Sequence, residues 1–125
     1  MIQNLLLVGC GSFVGGALRY LCGQLLAGHT LMHFAIGTMS VNLAGCFLFG
    51  LIYGLLERFG ALQSQWALVL TVGLCGGFTT FSTFSSEALN LLRSGAIAPL
   101  LAYVLTSVVG GILLLYAGRQ ITTTL

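Results

Sequence analysis

Charge is almost absent from this chain, and its absence fixes the solvent in which the chain can fold. Only Arg19, Glu57, Arg58, Glu87, Arg93 and Arg119 carry formal charge among 125 residues, and there is no Lys or Asp. A water-soluble domain charges roughly a quarter of its residues; here the fraction is 5%, with 58% hydrophobic. Such a chain cannot build a polar shell, so the apolar solvent it needs is a lipid bilayer. A net charge of +2 spread this thinly also forms no basic stripe, which excludes nucleic acid as a partner.

A helix crosses the hydrocarbon core with about 20 mostly apolar residues. Four stretches qualify: residues 2–27, interrupted only by Arg19, then 34–56, 65–92 and 99–118. Polar punctuation separates them at Gly28-His29-Thr30, Glu57-Arg58-Phe59-Gly60 and Arg93-Ser94-Gly95. Pro99 suits the first turn of the last helix, where a missing N–H costs nothing. The expected fold is therefore an all-α integral membrane protein, with residues 1–125 forming one four-helix domain. Leu7-Val8-Gly9-Cys10 looks like a lipoprotein cleavage box, but no basic residue precedes it and the apolar run continues past it, so the segment reads as a helix. Cys10, Cys22, Cys46 and Cys75 form no C-x-x-C pair and read as small packing side chains.

Gly11 with Gly15, and Gly50 with Gly54, have the small-x-x-x-small spacing that lets helix backbones approach in lipid. The arginines divide evenly: Arg58 and Arg119 belong at one membrane face, and Arg19 and Arg93 at the other. The positive-inside rule then favours neither orientation, so the chain is expected to insert both ways. Oppositely oriented copies can pair as an antiparallel, dual-topology homodimer.

The third span contains Gly76-Gly77-Phe78-Thr79-Thr80-Phe81-Ser82-Thr83-Phe84 near its middle. Paired glycines followed by β-branched threonines make a poor helix centre, which predicts a break near 76–80. Carbonyls released there either bind an ion or water, or are met by neighbouring hydroxyls. Beyond the break, Phe81 and Phe84 share a helical face, as do Thr80 and Thr83, and Ser82 adds another hydroxyl. Ring edges are electropositive and, with hydroxyl donors, suit a small anion; the same rings at helical spacing also suit core packing. Thr38, Asn42 and Gly45 share a face of the second span. Tyr103, Thr106, Ser107 and Gly110 follow an i, i+3, i+4, i+7 track on the fourth, readable as a polar path or as interhelical hydrogen-bond glue. Glu87 reads as an interfacial acid bonded to a neighbour, or as a vestibule residue. Arg19 either snorkels or draws anions into a vestibule. His29 and His33 read as exposed loop histidines.

The string GGFTTFSTF, with Glu87 just after it, resembles the signature of the Fluc (CrcB-type) fluoride channel family. Gly15-Gly16-Ala17-Leu18-Arg19-Tyr20 is similar to that family's first-helix motif, and Gly37-Thr38, Val41-Asn42 and Gly45 to its second. The resemblance covers the whole chain. It implies passive efflux of fluoride from a bacterial cytoplasm across the inner membrane, through two antiparallel pores of a homodimer. It further implies that Phe81 and Phe84 line the pores. Asn42, Ser82 and Thr83 would donate to the ion, and Tyr103 and Ser107 would form a polar track. The carbonyls of Gly76 and Thr79 from both copies would hold a structural Na⁺. Where a further hydroxyl is expected one turn past Ser107, this chain has Gly111.

A small dual-topology multidrug exporter is the alternative, but it needs a mid-membrane carboxylate, and helix one has none. An enzyme would need a nucleophile, base or metal set that these spans do not supply. A structural helper subunit would not need a break, a phenylalanine pair and a hydroxyl track together.

Overall fold

The computed structural model describes residues 1–26, 30–31 and 34–125, of which 30–31 and 34–35 by their backbone alone. His29 and His33 lie outside the described residues. Among the described residues, four helical segments are long and apolar enough to cross a membrane. Helix α1 is Ile2–Leu25 and α2 is Ile36–Arg58. The third span is composite: α3 (Gln65–Ala67), a π-helical stretch (Leu68–Cys75), α4 (Gly76–Phe78) and α5 (Phe81–Arg93). Helix α6 is Ile97–Thr124.

The boundaries differ from expectation by one or two residues at several helix ends, and three differences have an identifiable cause. Residues 34–35 are extended rather than helical, because β2 (Phe34–Ala35) pairs antiparallel with β1 (Thr30–Leu31) ahead of α2. The fourth helix runs past Gly118 to Thr124. Its polar end stays helical because Arg119 pairs with Glu57 of α2, and Thr122, Thr123 and Thr124 bond back to carbonyls of the preceding turn. At 1.5 Å per residue, 28 residues span roughly 42 Å, so this end reaches beyond a hydrocarbon core of about 30 Å. The third difference lies at the break and is described with the site.

Two helix ends are set by glycine. Gly60 and Gly95 have φ of 66° and 79°. At the first, Gly60 N–H reaches Glu57 O and Ala61 N–H reaches Leu56 O; at the second, Gly95 N–H reaches Leu92 O and Ala96 N–H reaches Leu91 O. Both are Schellman closures, which satisfy the last carbonyls and need a left-handed residue.

The helices pack in two couples, α1 on the first half of the third span and α2 on α6. Both couples are backbone-to-backbone. A Cβ on Gly11 would strike Gly73 and Leu74 main chain, and one on Gly77 would sit 2.7 Å from Ser12 O. Gly50 and Gly54 lie against Leu115 and Arg119 main chain in the same way. The glycine pairs are thus used within one subunit, and they carry no information about a second copy. A Cβ on Gly118 would lie 2.5 Å from Phe47 O and 2.9 Å from Leu51 N. Gly118→Val is therefore expected to cost at least about 1–3 kcal/mol, read as a lower melting temperature in detergent. Gly9→Val meets nothing within 4 Å and serves as control; equal behaviour of the two would refute the close-packing account.

The interior is small. Tyr103 is fully buried and packs with Leu91, Phe84, Met39 and Leu100, while Phe13, Trp66, Leu101, Leu105 and Ile112 face outward. Outward apolar side chains are what a lipid-facing surface requires.

Candidate functional site

The site begins with the interruption in the third span. Gly76 and Gly77 remain helical; the extended residues are Thr79 (φ −87°, ψ 158°) and Thr80 (φ −147°, ψ 117°). The path leaves the helix later than the glycines alone predict, because β-branched threonines favour extended backbone and a side chain from α2 holds them there. Asn42 Oδ1 accepts from Thr80 N–H at 2.8 Å, and Asn42 Nδ2 donates to Thr80 O at 3.0 Å. One amide therefore satisfies both polar groups of a residue that has left the helix. In an unbroken α-helix Thr80 N–H would bond Gly76 O and Phe81 N–H would bond Gly77 O. Here the first donor goes to Asn42, and Gly77 O accepts from Arg19 Nε at 3.2 Å. Thr80 caps the new helix, its Oγ1 accepting from Thr83 N–H at 3.3 Å. Thr79 Oγ1 donates to Cys75 O, and Ser12 Oγ to Gly73 O.

Three cavities surround this point. The first, about 240 Å³, is lined by Asn42, Cys46, Thr79, Thr80, Phe81, Phe84, Ser107 and Val108. The Phe81 and Phe84 rings are 5.7 Å apart, and Phe84 continues to Tyr103 at 5.2 Å. Ser107 Oγ is buried with no hydrogen-bond partner among the described residues. The second cavity, about 250 Å³, has Arg19, Tyr20, Gln24, Thr38, Thr80 and Thr83 on its walls. The third, about 160 Å³, includes Gly45, Cys46, Thr71, Cys75, Gly76 and Thr79.

Glu87 lies between the second and fourth spans. Thr38 Oγ1 donates to its Oε1 at 2.7 Å and Tyr103 OH to its Oε2 at 2.6 Å. Its neighbours are these hydroxyls rather than Arg93, which is exposed at the end of α5.

The structure brings Asn42, Phe81, Phe84 and Ser107 to one cavity and Arg19, Thr38 and Thr83 to another. Ser82 is exposed, near Thr80 Oγ1 at 3.3 Å. Thr106 is also exposed, because it lies about 100° round the helix from Ser107. Phe81 is 78% exposed within a single copy. Cys46 and Ser12 did not stand out from sequence. For Cys46 the signal was its place one turn after Asn42 on the same face.

The family described as CrcB-like protein, Camphor Resistance (CrcB), matches residues 6–119. The chain belongs to the CrcB-like family. A relative in Chlorobium phaeobacteroides (strain BS1) is 47% identical over 117 residues, covering 94% of this chain and 91% of that one. One in Leptospira interrogans (strain Fiocruz L1-130) is 44% identical over 117 residues, covering 93% and 91%. One in Pseudomonas putida (strain KT2440 among its designations) is 40% identical over 122 residues, covering 98% of each chain. Each of these CrcB-like relatives is named fluoride-specific ion channel FluC. With four spans, the protein is a multi-pass membrane protein.

Proposed function

We propose that this chain is a subunit of a fluoride-selective channel, not an enzyme, which lets fluoride leave a bacterial cytoplasm passively across the inner membrane. The observation that carries this reading is the cavity of about 240 Å³. There an aromatic pair, an amide and a buried hydroxyl with no partner among the described residues meet, and none of the described lining residues is cationic. The names borne by the relatives agree with it.

The mechanism follows from replacing water. Fluoride is small and tightly hydrated, so a pore must offer donors at each point where it removes them. Neutral donors bind without trapping, and conduction needs sites that admit and then release the ion. Arg19, beside Thr38 and Thr83 on the second cavity, raises the anion concentration at the entrance. Ser107 Oγ and the remaining N–H of Asn42 then take the ion past Phe81 and Phe84, whose ring edges are electropositive. Ser82 and Phe81, exposed in one copy, face the partner in an antiparallel homodimer with two pores.

Gly76 and Thr79 fit a structural Na⁺ at the dimer centre. The Gly76 carbonyl has lost its helical partner to the Asn42 contact, and both residues border the cavity of about 160 Å³. Carbonyls from the two copies would form an all-oxygen set suited to a hard cation. Na⁺ supplies charge that ties together carbonyls lipid cannot solvate.

The exporter alternative is disfavoured by Glu87, whose two oxygens are already engaged by Thr38 and Tyr103. The test is fluoride flux from proteoliposomes into fluoride-free buffer, with chloride and a cationic drug as comparisons. Selective fluoride efflux is expected; equal chloride flux, or proton-coupled drug flux, overturns the reading. A single Cys placed in the 57–63 loop should label from both membrane faces, and labelling from one face alone removes dual topology. Purification without Na⁺ should lower the melting temperature of the dimer, and no change removes the ion.

A further inference from the structure

We propose that Cys46 lines the conduction path, its thiol facing Gly111 of α6. The inference rests on the pore reading above. Cys46 follows Asn42 by one turn and borders both the cavity holding Phe81, Phe84 and Ser107 and the cavity beside Gly76. Opposite it, one turn past Ser107, α6 presents Gly111. A Cβ at that position would lie 3.2 Å from Cys46 Sγ, so the space a side chain there would use is already held by the thiol. Ser107 Oγ, on the same cavity, is buried without a partner among the described residues. An orphaned hydroxyl is costly in a membrane interior and marks a point where a transient partner bonds. A thiol extends that line as a weak donor, and weak donors suit a site that must release its ion.

The proposal is tested in proteoliposomes loaded with fluoride. Cys46→Ala should slow efflux about tenfold, the equivalent of one lost hydrogen bond, while the protein elutes as wild type does. Cys46→Ser keeps a donor and should conduct close to wild type. Gly111→Ser added to Cys46→Ala should recover most of the loss, since the hydroxyl then enters from the other wall. HgCl₂, which joins a thiol sulfur with loss of its proton and one chloride, should block wild type, more slowly in high fluoride. It should spare Cys46→Ser. A structural thiol would tolerate Ala and give no fluoride protection. Absence of the mercury block, or failure of Ser to rescue, overturns the inference alone if wild type conducts. A wild type that passes no fluoride overturns the pore reading and this inference with it.

Discussion

Replacing Asn42 by leucine should reduce fluoride efflux by about a hundredfold or more. The substitution removes two hydrogen bonds, one accepted from Thr80 N–H and one donated to Thr80 O. Each main-chain group left buried and unpaired costs about 1–3 kcal/mol, so about 2–6 kcal/mol is at stake, and a hundredfold needs about 2.7. Thr79 and Thr80 would regain helical bonding to escape that cost, closing the interruption and pulling Phe81 out of line. Asn42→Asp separates the roles of the side chain. A carboxylate still accepts from Thr80 N–H but cannot donate, and its charge repels an anion. The Asp variant should therefore purify as wild type does and conduct almost nothing. Near-normal efflux in Asn42→Leu, with an intact assembly, would show that the clamp neither shapes the break nor serves the ion.

Asn42 also shows what a sequence of this kind discloses. Four spans follow from apolar length, and the Gly11/Gly15 and Gly50/Gly54 contacts follow from spacing, because both depend on one chain's local composition. An interruption was expected from the paired glycines, but the group that sets the local backbone was not legible. Gly76-Gly77 remain helical while Thr79-Thr80 are extended, since the deciding group is an amide 38 residues away in sequence. Glu87 was legible as an acid bonded to a neighbour, but which neighbour was not. Its nearest opposite charge along the chain is Arg93, yet Thr38 and Tyr103 converge on it across helices. The π-helical Leu68–Cys75 stretch had no sequence signal that we can identify. Thr106 shared a polar i, i+3 pattern with Tyr103, but only Ser107 turns inward, because the helix places Thr106 too far round.

Phe81→Ile and Phe84→Ile should each lower fluoride efflux about tenfold or more, on the scale of a lost aromatic contact in a dry site, but with different signatures. Phe81 is 78% exposed in one copy and makes its ring contact with Phe84 at 5.7 Å. Isoleucine there removes an electropositive ring edge while leaving the packed interior of the subunit in place, so conduction should fall at nearly unchanged melting temperature. Phe84 sits between Phe81 and fully buried Tyr103, 5.2 Å from the latter. Isoleucine at that position loses the same edge and also packing beside Tyr103, which holds Glu87. Efflux and melting temperature should then fall together. Phe81→Met keeps a polarisable side chain of similar reach and should retain more flux than Phe81→Ile. The rival account treats both rings as inert core. It expects near-normal efflux from Phe81→Ile, and no ordering among Ile, Met and Phe at that position. If the exposed ring can be replaced without slowing fluoride, the path does not run past Phe81, and the cavity it borders is packing space rather than a pore.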